Sequence, residues 1–135
     1  MTSKVKYQGQ LRTSAVHLQS NSTVITDAPV DNHGKGEAFS PTDLVATALA
    51  SCLMTIMGIK AESMHIDLTG TNAIVKKHMS TTPRRINQVD VEVTMNQDFD
   101  DRTKKILEHA ALTCPVAQSL HPEINQNITF VYSES

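Results

Sequence analysis

The stretch SPTDLVATALASCLMTIMGI, residues 40–59, decides the fold. From Leu44 to Ile59 it holds no charged residue. Ser40 reads as the N-cap of a helix. Pro41 suits the first helical position, where its missing N–H is not needed, and Asp43 completes a capping box and opposes the helix dipole. The pattern predicts a helix from Pro41 to about Ala61. Leu44, Val45, Ala46, Ala48, Leu49, Ala50, Leu53, Met54, Ile56, Met57 and Ile59 surround it with apolar side chains. A helix without a polar stripe must be covered on every side. A sheet can cover one face, and a second subunit is expected on another, which predicts a homodimer. The charge-free run falls short of the roughly 20 residues of a membrane span and contains Thr47, Ser51 and Thr55, so it reads as a core helix.

Working outward, the residues before this helix read as strands. Val5, Tyr7, Leu11, Ala15 and Leu18 are separated by polar residues, with breaks at Gly9-Gln10 and Ser20-Asn21 before Thr23-Val24-Ile25-Thr26. A three-stranded meander is expected over residues 4–27. Residues 28–39, rich in Pro, Gly, Asp and Asn, form a loop. After the helix, Ile66, Leu68 and Ala73 to Val75 suggest a strand region broken at Gly70, and Thr81-Thr82-Pro83-Arg84 reads as a turn. Val89, Val91, Val93 and Met95 alternate with Asp90, Glu92 and Thr94, the pattern of a half-buried strand. Asp98 or Asp100 caps a second helix with Phe99, Ile106, Leu107, Ala110 and Ala111 on one stripe. Pro115 starts a short helix to about Leu120, and Ile128, Phe130 and Tyr132 alternate in a last strand. This order gives an α+β chain of one domain, residues 1–135.

The charge balance is −2, from 12 basic and 14 acidic residues, which argues against nucleic-acid binding. Lys76, Lys77, Arg84 and Arg85 read as a solvated strand end and turn rather than a phosphate site. The first residues, MTSKVKY, lack the apolar core of a secretory signal. Two cysteines without such a signal point to a cytoplasmic chain, where a disulfide would be transient and catalytic.

Those two cysteines carry the chemistry. Cys52 lies inside the long helix, and Cys114 lies 62 positions later in Leu-Thr-Cys-Pro-Val at the start of another. They are either a redox-active pair or two unreactive core thiols, since free cysteine is among the most buried residue types. A nucleophilic cysteine acts as its thiolate. Cys114 precedes Pro115 at a helix N-terminus, where N–H groups and the dipole favour an anion. Cys52 sits about three turns into its helix, beyond the dipole's reach, so a cation must come to it from elsewhere. Arg12, alone of its type in the first 83 residues, is the candidate; the competing reading is a surface arginine on a strand. A Cys-His hydrolase would need an imidazole beside Cys52, and the nearest in sequence is His65. No His-Glu-x-x-His, Cys-x-x-Cys or phosphate-loop motif is present, so neither metal nor cofactor is expected.

Ser40-Pro41-Thr42-Asp43-Leu44, Ala48-Leu49-Ala50-Ser51-Cys52 and Leu112-Thr113-Cys114-Pro115-Val116 together resemble the OsmC/Ohr family of osmotically inducible and organic-hydroperoxide-resistance proteins. The resemblance covers nearly the whole chain. It implies an intertwined homodimer with the long helices at its centre, and a thiol-dependent peroxidase active in oxidative stress defence. It makes Cys52 the peroxidatic cysteine, Cys114 the resolving cysteine and Arg12 the catalytic arginine. It also implies an external dithiol reductant of the lipoyl type, such as a lipoylated protein. Hydroperoxidases of this family carry a glutamate ten residues before the first cysteine to orient the arginine. Here that position is Thr42, which leaves Asp43 or Glu37 as the expected orienting acid. The alternative is a non-enzymatic relative that binds a small hydrophobic ligand in the dimer-interface pocket.

Overall fold

The computed structural model describes residues 1–132. The chain divides into two compact units, Met1–Val45 and a second beginning at Ala46.

The first unit is the expected meander. Strands β1 (Ser3–Gly9), β2 (Arg12–His17) and β3 (Thr23–Asp27) form an antiparallel sheet in that order. The β1–β2 hairpin turns on Gln10 and Leu11, both at positive φ (56° and 63°), the geometry that matches strand twist. Register places Arg12 directly opposite Asp27. A short 3₁₀ turn, Val30–Asn32, sits in the loop that follows. That loop folds back on itself at Gly34, where a Cβ would collide with the Ala28 carbonyl, so only glycine fits there.

Helix α1 runs from Pro41 to Ser63. Its start is the capping box read from the sequence. The Ser40 N–H donates to Asp43 Oδ2 at 2.9 Å, and the Asp43 N–H donates to Ser40 Oγ at 3.1 Å. By length and composition alone α1 could cross a membrane, yet in the second unit it is a core helix. Leu49, Leu53, Met57 and Ala61 are fully buried in one cluster with Val89, Val91, Val93, Leu107, Ala111 and Cys114. Its cover is one-sided: Ala48, Ser51, Thr55 and Ile59 are exposed, Ile59 at 60%.

The rest of the second unit packs on that helix. Strands β4 (Asn72–Thr81) and β5 (Arg84–Met95) are antiparallel, and β6 (Asn125–Tyr132) joins β5 in parallel. The alternation in β5 is as expected, with Val89, Val91, Val93 and Met95 buried. Ile66 and Leu68 lie outside any strand; the Asp67 carboxylate instead bonds the Thr69 N–H and hydroxyl and turns the chain. Helix α2 (Asp101–Leu112) takes Asp100, not Asp98, as its N-cap. Asp98 pairs with Lys104 at 3.1 Å, and Lys104 also lies 4.5 Å from the Tyr132 ring centre. Helix α3 (Pro115–Ser119) follows at once.

On the outer face of this sheet, Asp90 accepts from His78 (2.6 Å), Gln88 (2.7 Å) and Asn127 (3.1 Å), tying β4, β5 and β6 together. These bonds, that of His78 first, hold the Asp90 carboxyl down at about 2.

Two expectations follow. Leu53→Ala should lower unfolding free energy by about 3 kcal/mol in urea titration, through lost burial and the cavity left behind. A carboxyl held below its usual 3.8 stabilises the fold above that pH, and the stabilisation is lost as pH falls towards 2. Asp90→Asn should therefore cost stability at pH 6 and cost less at pH 2.5, read as urea midpoints; an equal loss at both would show that the charge is not what matters.

Candidate functional site

In the first unit the register of β2 and β3 builds a fixed guanidinium. Arg12 Nε donates to Asp27 Oδ1 at 2.7 Å and Nη2 donates to Asp27 Oδ2 at 2.8 Å, a two-pronged pair with a carboxylate only 1% exposed. Glu37 adds a longer contact, Oε2 accepting from Nη2 at 3.4 Å. The loop delivers Glu37 because it is pinned to the end of β3. The Asp27 N–H donates to the Phe39 carbonyl (3.0 Å), and the Glu37 N–H donates to Asp27 Oδ2 (3.1 Å). Asp27 is held below the usual carboxylate range, chiefly by hydrogen bonds from Arg12, against the opposing cost of burial. The Arg12 guanidinium is held charged, chiefly by hydrogen bonding to Asp27.

Of the two acids expected beside Arg12, Glu37 is there. The Asp43 carboxylate accepts from the Ser40 N–H in the helix cap. Asp27, the shortest partner of all, was missed by sequence reasoning. Its signal was the hairpin register: pairing Val16 with Thr23 carries Arg12 onto Asp27, four residues along each strand.

In the second unit α1 and the α2–α3 junction bring the cysteines into each other's range. Both are free thiols. Cys52 is half-buried on the flank of α1, and Cys114 is fully buried. Cys114 is the N-cap of α3, its Sγ accepting from the Ala117 N–H at 3.4 Å. The sequence led us to expect the helix start to favour a thiolate here. The outcome is the reverse: burial pushes the Cys114 thiol up, the Ala117 N–H offsets only part of that, and the neighbouring Cys52 raises it further by hydrogen bonding and charge. A five-residue helix has few aligned peptides to set against full desolvation.

Among the described residues no group of three His, Cys, Asp or Glu side chains is placed to hold a metal. The histidines with side-chain bonds are engaged elsewhere: His17 with Ser20, His78 with Asp90, and His121 with the Glu123 N–H. Among the described residues no hydrogen bond joins a histidine to Cys52, the contact that a Cys-His hydrolase would use.

Comparisons with known proteins point one way. The family model for OsmC-like proteins matches residues 34–129. A crystal structure from Psychrobacter arcticus 273-4, provisionally named an osmotic stress induced and detoxification response protein, is 62% identical. The match covers 96% of this chain and 95% of that one, with a TM-score of 0.94. An organic hydroperoxide resistance protein from Legionella pneumophila has the same fold at 16% identity (TM-score 0.76, 97% of each chain covered). So does one from Elizabethkingia anophelis with thiocyanate bound, at 14% identity (TM-score 0.76, 98% of this chain and 97% of that one). No curated protein matches. By the extent of the family match and the identity to the Psychrobacter protein, this chain belongs to the OsmC-like family.

Proposed function

We propose that this protein is a thiol-dependent peroxidase that reduces organic hydroperoxides to alcohols. The observation that carries the reading is the thiol pair: the only two cysteines of the chain lie within each other's range, Cys52 half-buried and Cys114 buried and held as a neutral thiol. That asymmetry suits a division of labour. The Cys52 thiolate attacks the distal peroxide oxygen. The O–O bond breaks, the alkoxide leaves and takes a proton as the alcohol, and Cys52 becomes a sulfenic acid. Cys114 then attacks that sulfur, its thiol proton leaves with the displaced hydroxide as water, and a Cys52–Cys114 disulfide remains. A dithiol of the lipoyl class reduces it and is itself oxidised to a disulfide.

Arg12 is assigned to stabilise the thiolate and polarise the peroxide. A guanidinium clamped by Asp27 and Glu37 loses little conformational freedom when it acts. In this reading Asp27, with Glu37, takes the orienting role that a glutamate at position 42 plays in related hydroperoxidases. The uncharged surroundings of Cys52, with Leu49, Leu53, Met54 and Ile56 close in the helix, favour apolar peroxides. The functional unit is a homodimer in the cytoplasm. Its support is the apolar surface left uncovered, Ile59 on α1 and Val5, Tyr7 and Val24 on the meander, since a bare three-stranded sheet is marginal alone. The hydroperoxide resistance proteins among its structural relatives lend the activity itself.

The decisive assay mixes the protein with cumene hydroperoxide and dihydrolipoamide. Consumption should require the dithiol and vanish in Cys52→Ser; full activity in that variant would refute the reading. Cys114→Ser should react once and leave a sulfenic acid that dimedone traps. Asp27→Asn should slow peroxide consumption by about tenfold or more, a misplaced guanidinium costing transition-state contacts, while thermal unfolding shows the fold intact.

A further inference from the structure

Away from the thiols, the second unit holds a cavity of about 450 Å³ lined by Lys60, Lys105, Ile106, His109 and Ala110. Its size falls within the roughly 300–1,000 Å³ of small-molecule sites. Four of its five residues come from one stretch of α2. Ile106 and Ala110 stand one turn apart and make a half-buried apolar floor. Lys105 and His109, also one turn apart, are exposed along its edge, and Lys60 approaches from the last turn of α1.

The charges around this floor are one-sided. No acidic residue lines the cavity. Among the described residues, the side chains of Lys60, Lys105 and His109 have no ion-pair or hydrogen-bond partner. The neighbouring groups are spoken for: Lys104 is held by Asp98, and the Glu108 carboxylate accepts from the Tyr132 hydroxyl at 2.6 Å.

The apolar floor and the exposed cations call for a ligand with both characters. A small inorganic anion leaves the floor wet, and a neutral oil leaves the ammonium groups unpaired. Lysine stems are apolar and their ammonium heads seek water, so the exposed Lys60 and Lys105 suit the border of such a floor, where a headgroup would meet them. We propose that this cavity binds a single-chain carboxylate of medium length, a fatty acid, with its chain over Ile106 and Ala110 and its carboxylate between Lys60 and Lys105. The site is separate from the thiol chemistry and needs neither peroxide nor reductant.

The test is amide NMR titration of the full-length protein with decanoate, decanol and acetate, with no peroxide present. Decanoate should saturate, with shifts centred on residue 60 and residues 105–110. Decanol should bind about tenfold more weakly, the weight of a charge-assisted contact, and acetate should not saturate. Lys60→Gln combined with Lys105→Gln alters two exposed side chains, and should weaken decanoate by about tenfold while leaving decanol unchanged. Equal binding of decanol and decanoate, shifts centred elsewhere, no saturation by decanoate, or wild-type affinity in the double variant would each overturn the proposal. The peroxidase assay is untouched by any of these results.

Discussion

The second unit depends on the burial of one face of α1 in a common core with β5. With Leu49, Leu53 and Met57 turned inward beside Val89, Val91 and Val93, the rotation of the helix about its axis is fixed. Cys52 stands one residue before Leu53, so its side chain points about 100° away from the buried face. That is why it is half-buried rather than sealed in. The same core receives Cys114 from the other side, because α2 ends at Leu112 and the chain turns at once into α3. The meeting of the two sulfurs is thus a consequence of packing, and the stripe of α1 that packing leaves exposed is the surface a second copy is proposed to cover.

The electrostatics of the two units contrast. In the first, hydrogen bonding and opposite charge outweigh the cost of burial: Arg12 and Asp27 hold each other ionised, and Glu37 and its backbone N–H reinforce the pair. In the second, burial dominates and Cys114 is kept neutral. A peroxidatic centre needs both settings. In the proposed mechanism the fixed cation is the group assigned to the attacking thiolate, and the protonated Cys114 is the one assigned to wait until a sulfenic acid forms, so that it does not compete for peroxide.

Much of this was legible in the residues. The capping box of Ser40 and Asp43, the alternation of Val89 to Met95 and the meander before residue 28 all express local rules, and all appear as read. What was not legible depended on distant partners. The parallel seating of β6 beside β5 has no local signature. Asp27 was overlooked because a one-residue slip in hairpin register moves every cross-strand partner, and turn residues alone did not fix that register. Cys114 was misjudged electrostatically because a helix start is visible in sequence, whereas full desolvation is a property of the assembled core.

The central claim is that Cys52 and Cys114 form one redox couple. Its most direct measurement is intact-mass and peptide mapping of the wild-type protein after one equivalent of cumene hydroperoxide without reductant. The account predicts loss of about two mass units per chain, from two thiol hydrogens, and a peptide pair joined through Cys52 and Cys114 within the same chain. An unchanged mass, or stable oxygen addition with both cysteines unlinked, would contradict it.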